Sequence, residues 1–99
     1  MASIKPILPG EILEEEFLTP MGISAYKLAK DIKISTTRVS EILKGKRRIT
    51  VDTALRLSKY FGNSVEFWVG IQADYEIRKA KKELEAQLAE IQQLETKSA

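Results

Sequence analysis

The sequence contains neither cysteine nor histidine. Without cysteine no disulfide can form, and without either residue the thiolate and imidazole ligands of most transition-metal sites are missing. The same absences remove the usual nucleophile and general base of enzymes, and the chain has no glycine-rich phosphate loop. The residues therefore predict no metal site, no cofactor and no enzymatic activity.

Long apolar runs are also absent. No stretch approaches the length of a membrane span, and residues 1–6 lack the apolar core of a signal peptide. Proline and glycine are scarce, at 3 and 5 of 99 residues, while 43% of the residues are hydrophobic. This composition favours one packed domain over disorder, and we expect a cytoplasmic protein without a membrane partner.

The charges are unevenly distributed along the chain. Residues 23–60 carry 10 basic and 3 acidic side chains, a net charge of +7. The flanking segments are acidic, with net charges of −3 over residues 1–22 and −2 over residues 61–99. Cations gathered in one segment suit a polyanion such as DNA, because each phosphate contact releases condensed counterions.

Helical signals run through the whole chain, and no strand pattern occurs. Pro9 is suited to a first helical turn, and the Thr19-Pro20-Met21-Gly22 run is expected to end that helix. Capping residues and glycines place further helices at residues 24–32, 36–44, 50–61 and 65–96. Either Asn63 or Ser64 caps the last of these.

Residues 25–44 have the spacing of a DNA-binding helix-turn-helix. Apolar positions such as Leu28, Ile34 and Val39 would hold the two helices at a fixed angle. The helical period then turns a polar face of the second helix outward, where it could read base edges in the major groove. The predicted base-reading residues are Thr36, Thr37, Arg38, Ser40, Glu41 and Lys44.

A second set of residues is expected to hold the DNA backbone. Ser35 begins the second motif helix, where unpaired N–H groups can receive a phosphate. The basic loop Lys46-Arg47-Arg48 and two residues of the first motif helix would flank the groove. They would fix the position of the protein on the DNA without reading its sequence. The predicted phosphate-binding residues are Tyr26, Lys27, Ser35, Lys46, Arg47 and Arg48.

Each of these features also has a plain structural interpretation. A helical hairpin with a merely solvated polar face is common, although the charge distribution and the tribasic loop argue against it here. The Glu14-Glu15-Glu16 run fans around its helix and is explained by favourable charge near a helix N-terminus. The aromatic group of Phe61, Phe67, Trp68 and Tyr75 could line a ligand pocket, but core or dimer packing is the stronger interpretation. The predicted core and dimer residues are Phe61, Phe67, Trp68, Ile71 and Tyr75.

Toward the end of the last helix the apolar residues become sparse among Glu, Lys and Gln. Gln87 occupies a position that would lie in the seam of a coiled coil, so the pattern does not indicate one. We divide the chain into a helix-turn-helix domain over residues 1–75 and an extended amphipathic helix over residues 76–99. This helix either packs on a partner or projects from the domain and frays. Both it and the acidic first helix could receive a basic protein, and the sequence does not choose between them.

The chain resembles the HigA/VapI-type antitoxins, a branch of the Xre/Cro-like helix-turn-helix regulators. The similarity runs from about Pro9 to Ala80. It rests on Gln72, Tyr75 and six segments: Pro9-Gly10-Glu11-Ile12-Leu13; Leu28-Ala29; Ile42-Leu43-Lys44-Gly45-Lys46-Arg47-Arg48-Ile49-Thr50; Asp52-Thr53-Ala54-Leu55-Arg56-Leu57; Phe61-Gly62-Asn63-Ser64; and Glu66-Phe67-Trp68. The turn position that is often glycine in such motifs is Lys33 here. Either this lysine adopts the left-handed conformation, at a cost of about 1 kcal/mol, or the turn differs locally.

The resemblance implies an all-α, five-helix lambda-repressor-like (Cro/C1-type) fold with a long C-terminal helix. It also implies a homodimer formed through the C-terminal part, repression of the protein's own operon at an inverted-repeat operator, and neutralisation of a small basic toxin that cleaves messenger RNA. A stand-alone Xre-family transcriptional regulator without a toxin partner is the alternative.

Overall fold

The computed structural model describes residues 6–95 of the chain, which form six helices and no strand. The first, α1, has three consecutive segments, an α-helical Pro9–Ile12, a π-helical Leu13–Leu18 and an α-helical Thr19–Met21. The others are α2 (Ala25–Ile32), α3 (Thr36–Leu43), α4 (Val51–Phe61), α5 (Val65–Glu83) and α6 (Glu85–Ala89). The expected all-α, five-helix core is confirmed. Within the described residues no helix is both long and apolar enough to cross a bilayer.

A side-chain hydroxyl caps the N-terminus of each of the helices α2 to α5. Each accepts a hydrogen bond of 3.0–3.3 Å from a backbone N–H three residues later, and the caps are Ser24, Ser35, Thr50 and Ser64. Asn63 is not the cap of α5, because its Oδ1 accepts a hydrogen bond from the Trp68 indole instead (2.8 Å). Short-range hydrogen bonding therefore defines where these four helices begin.

The first helix ends within the predicted Thr19-Pro20-Met21-Gly22 run, but Gly22 ends it and the proline does not. The Thr19 N–H donates to the carbonyl of Glu14, five residues earlier, and the helix continues to Met21. This wider π-helical turn accommodates Pro20, whose ring would clash with the carbonyl four residues earlier in a regular α-helix. Gly22, at a φ of 65°, then ends the helix in the left-handed conformation.

The core lies between the motif helices and the helices on either side of them. Trp68 of α5 is completely buried at its centre, and the ring of Phe17 of α1 lies against it at a tilt of 47°, with 4.8 Å between ring centroids. Gly10 is buried where α1 meets the C-terminal end of α3. The buried hydrophobic residues are Leu13, Leu18, Leu28, Ala29, Ile32, Val39, Ile42, Ile49, Ala54, Leu57 and Trp68.

The prediction of one helix from Val65 to about Thr96 was wrong. The long helix α5 ends at Glu83, Leu84 leaves the helical conformation, and residues 91–95 after α6 have no regular structure. Residues 84–95 are exposed, including the apolar Leu84 and Leu88. Without tertiary packing a short helical segment is marginal in water, which accounts for the break. The expected end near Thr96 lies outside the described residues. Helix α5 runs through residues 75–76, and the division of the chain at this point stays a prediction.

Candidate nucleic-acid interface

The turn between α2 and α3 contains the one non-glycine residue with a positive φ in the described part of the chain. Lys33 has a φ of 64° and a ψ of 47°, so the first of the two turn alternatives is confirmed. The N–H groups of Lys33 and Ile34 both donate to the carbonyl of Ala29, and Ile34 packs against the core. These bonds and this anchor offset the strain of about 1 kcal/mol that a left-handed lysine costs.

The outward side of α3 forms one shallow, polar surface with the loop that follows it. We call this surface the α3 face; it is lined by Thr36, Thr37, Ser40, Glu41, Lys44 and Lys46. It therefore unites five of the six predicted base-reading residues with one predicted phosphate-binding lysine. Short hydroxyl side chains lie at its N-terminal end, where a helix can approach base edges closely.

Arg38 is the predicted base-reading residue that does not line the α3 face. Its Nη2 donates to Asp52 Oδ1 (3.0 Å) and to Thr53 Oγ1 (2.7 Å), so the guanidinium is turned toward α4. The side chain keeps 27% of its surface exposed. Arg38 thus lies at the edge of the α3 face, and its role toward DNA stays a prediction.

The three side chains of the basic loop Lys46-Arg47-Arg48 have different surroundings. Lys46 lines the α3 face, whereas Arg47 donates from Nε to Glu41 Oε1 at 2.8 Å. Arg48 binds Glu76 of α5 through Nε (2.7 Å) and Nη2 (3.2 Å). Hydrogen bonding to Arg48 lowers the pKa of Glu76, and the same pair raises the pKa of Arg48. The two arginines are thus already paired with carboxylates before any phosphate arrives.

Three predicted phosphate-binding residues lie on α2 or at the start of α3. Tyr26 is exposed, and Lys27 forms an ion pair with Asp31 on the same helix (3.0 Å). The hydrogen bond from Lys27 to Asp31 raises the lysine's pKa. Ser35 Oγ accepts from the Arg38 N–H, so its side chain serves as a helix cap.

Arg56 appears in our sequence analysis only within a segment that carries the resemblance, and its role in this region was not predicted. Its Nη1 donates to the carbonyl of Ile32 (2.8 Å), at the end of α2, and its Nε to Asp52 Oδ1 (2.8 Å). Hydrogen bonds from Arg56 and then Arg38 lower the pKa of Asp52. The four-residue spacing of Asp52 and Arg56 was a usable signal for their ion pair, but no local pattern points to the carbonyl at Ile32.

Gln72 connects the basic loop to α5 and was identified only by resemblance. It is buried, and its Oε1 accepts a hydrogen bond from the Ile49 N–H (2.8 Å). Its Nε2 donates to Glu76 Oε2 (2.9 Å), the carboxylate that also holds Arg48. One buried amide thereby fixes the end of the basic loop.

The predicted core and dimer residues separate by burial. Trp68 belongs to the core, and Phe61 and Ile71 pack against it from half-buried positions. Tyr75 is also half-buried, while Phe67 keeps 37% of its surface exposed beside a shallow apolar groove. The indole N–H of Trp68 already donates a hydrogen bond to Asn63 within the chain. The predicted residues therefore serve mainly as core packing, and Phe67 is the one among them that is exposed.

Comparison with known proteins finds a match to the helix-turn-helix family over residues 15–68. Virulence-associated protein I of Dichelobacter nodosus is 48% identical over 77 residues, covering 78% of this chain and 71% of the relative. The antitoxin HigA of Pseudomonas aeruginosa, solved with the higBA promoter, is 40% identical with a TM-score of 0.87, covering 91% of this chain and 99% of HigA. A HigA-family addiction module antidote protein from Coxiella burnetii is 46% identical with a TM-score of 0.86, covering 92% and 100%.

Proposed function

This chain belongs to the Xre-type helix-turn-helix family and is similar to HigA antitoxins, and from that membership we propose that it is a DNA-binding antitoxin that represses its own operon. The observation that carries the proposal is the α3 face, on which exposed hydroxyl, carboxylate and ammonium groups share one side of a capped helix. Such a helix fits the major groove, where base edges present donors and acceptors that differ for each base pair.

Within the groove, the α3 face and the residues beside it have two roles, the reading of base edges and the binding of backbone phosphates. Thr36, Thr37 and Ser40 lie toward its N-terminal end and read base edges, together with Glu41 and Lys44. Arg38 reads a base from the edge of the α3 face. Lys46 binds a backbone phosphate at its rim, and Lys27 and Tyr26 do so from α2. The phosphate contacts supply salt-dependent affinity, whereas the base contacts supply sequence preference.

The protein acts as a homodimer, and α5 supplies the contact between the two copies. The resemblance favours this arrangement, and α5 leaves Phe67 and Ile77 exposed on its surface. A two-fold dimer binds two half-sites about 10 bp apart, or a multiple of that distance, in an inverted repeat.

Footprinting of the purified protein on the promoter of its own gene tests DNA binding. We expect protection of two symmetric half-sites and displacement by unlabelled operator but not by scrambled duplex. Protection of one asymmetric half-site would contradict the dimer. Equal displacement by both competitors would contradict sequence-specific binding.

The proposed partner is a small basic toxin that cleaves messenger RNA, with this chain binding it on a surface away from the α3 face. Glu14, Glu15 and Glu16 of α1 are exposed and offer an acidic surface for it. The role is one of binding without catalysis, in the cytoplasm where operon and messenger lie. Co-expression with the product of a short basic reading frame found beside this gene tests the proposal. Copurification in a fixed ratio supports it, and failure to copurify would favour a stand-alone regulator.

A further inference from the structure

A chain of charged side chains links the helix-turn-helix turn to the edge of the α3 face. Arg56 donates to the carbonyl at Ile32 and also to Asp52 Oδ1, each at 2.8 Å. The same oxygen of Asp52 accepts from Arg38 Nη2 at 3.0 Å. A single carboxylate oxygen thus joins α3, α4 and the end of α2.

Only one of the three guanidinium nitrogens of Arg38 takes part in these hydrogen bonds. The hydrogen bonds to Asp52 and Thr53 both use Nη2, while the Nε and Nη1 donors bind nothing within residues 6–95. An arginine has five N–H donors in a rigid plane. Fixing one nitrogen therefore fixes the direction of the others, and the exposed part of the side chain lies at the N-terminal edge of α3.

Asp52 also offsets the repulsion between two guanidinium groups. Arg38 and Arg56 both point at its Oδ1, so removal of the negative charge leaves two like charges side by side. We propose that Asp52 and Arg56 are positioning residues for DNA binding, which hold the Arg38 guanidinium and the turn in the orientation that the duplex requires. This inference rests on the proposed DNA-binding function.

Asp52 is more than half exposed, so its ion pairs contribute little to the stability of the fold. The substitution Asp52→Asn should consequently leave the melting temperature nearly unchanged. A suitable control is Glu85→Gln, because Glu85, like Asp52, is an exposed carboxylate in the first turn of its helix, here α6, and lies outside α3 and α5. Both variants lose one carboxylate, but only one of the two carboxylates binds the arginine of α3.

The test is a double-mutant cycle on operator affinity, with a duplex selected by the wild-type protein from a random library. We expect Asp52→Asn to weaken operator binding about tenfold and to reduce discrimination at the position that Arg38→Ala also relaxes. In the Arg38→Ala background the same substitution should have almost no further effect. Arg56→Lys, which keeps the charge but loses the planar fork, should weaken operator binding in the same direction, and Glu85→Gln should match the wild type.

Two results would overturn the positioning role. One is equal loss of affinity from Asp52→Asn with and without Arg38, since independent effects on free energy add. The other is wild-type affinity and base preference for Asp52→Asn. A wild-type protein that selects no sequence from the library would instead contradict the proposed function, so the two failures are distinguishable.

Discussion

The substitution Gly10→Ala should destabilise the protein by separating α1 from α3. A Cβ at Gly10 would lie 2.8 Å from the Leu43 Cα and closer still to the carbonyl oxygen of Ile42. Both are backbone atoms, so no side-chain rotation can relieve the overlap. The helices would have to part by roughly 1 Å to restore ordinary van der Waals contact.

Overpacking of this kind costs about 1–3 kcal/mol and occasionally more, and a backbone clash belongs at the upper end. Alanine gains about 1 kcal/mol over glycine in a helix, which offsets part of that cost. We therefore expect a net loss of about 2 kcal/mol in the free energy of unfolding. For a domain of this size the loss corresponds to a decrease in Tm of about 8–16 °C.

Urea and thermal unfolding followed by circular dichroism would measure the effect. The matched control is Gly70→Ala, because a Cβ at that exposed position of α5 meets no atom within 4 Å. This control should be slightly more stable than the wild type, by about 0.5–1 kcal/mol. Measurements at two protein concentrations separate any change in self-association. Equal stability of Gly10→Ala and the wild type would refute the close approach of α1 and α3.

Three further outcomes are expected. Lys46→Ala should weaken binding to all duplexes alike and lower the slope of log affinity against log salt by about one, and a change of base preference would contradict its phosphate role. Gln72→Leu should reduce the free energy of unfolding by about 1–3 kcal/mol in urea titrations, because the buried Ile49 N–H loses its acceptor, whereas wild-type stability would refute that role. The hydrogen bond from Tyr60 lowers the pKa of Asp31, so this carboxylate stabilises the fold above its ordinary pKa of about 3.9, and the contribution disappears as the pH falls through the lowered value. Asp31→Asn should accordingly flatten the acid side of the stability curve, and an unchanged curve would contradict the assignment.

The phosphate contacts predicted for Arg47 and Arg48 would require both arginines to exchange a carboxylate partner for a phosphate. Glu41 and Glu76 occupy Arg47 and Arg48 in the structure, through ion pairs whose side chains are about half exposed. Exposed ion pairs of this type contribute about 0.2–1 kcal/mol. Phosphates can therefore replace them at low cost, and the released Glu41 would remain on the α3 face beside the base edges.

The sequence alone was sufficient for features that depend on neighbours within a few residues. Ser24, Ser35 and Thr50 cap their helices because a hydroxyl binds a backbone N–H three residues away, which leaves a local pattern. The buried positions of the motif follow the helical period in the same way. The α3 face followed from these, since a helix with one side buried must expose the other.

Tertiary structure alone decided the direction of the arginine side chains. Arg38 meets residues 14 and 15 positions away and Arg48 meets one 28 positions away, so no local pattern records either contact. Packing also decided the end of α5, because the apolar residues after Glu83 have no core to cover them. Local hydrogen bonds and periodicity thus determined the helices and their polar face, whereas contacts between distant elements determined how its arginines are held.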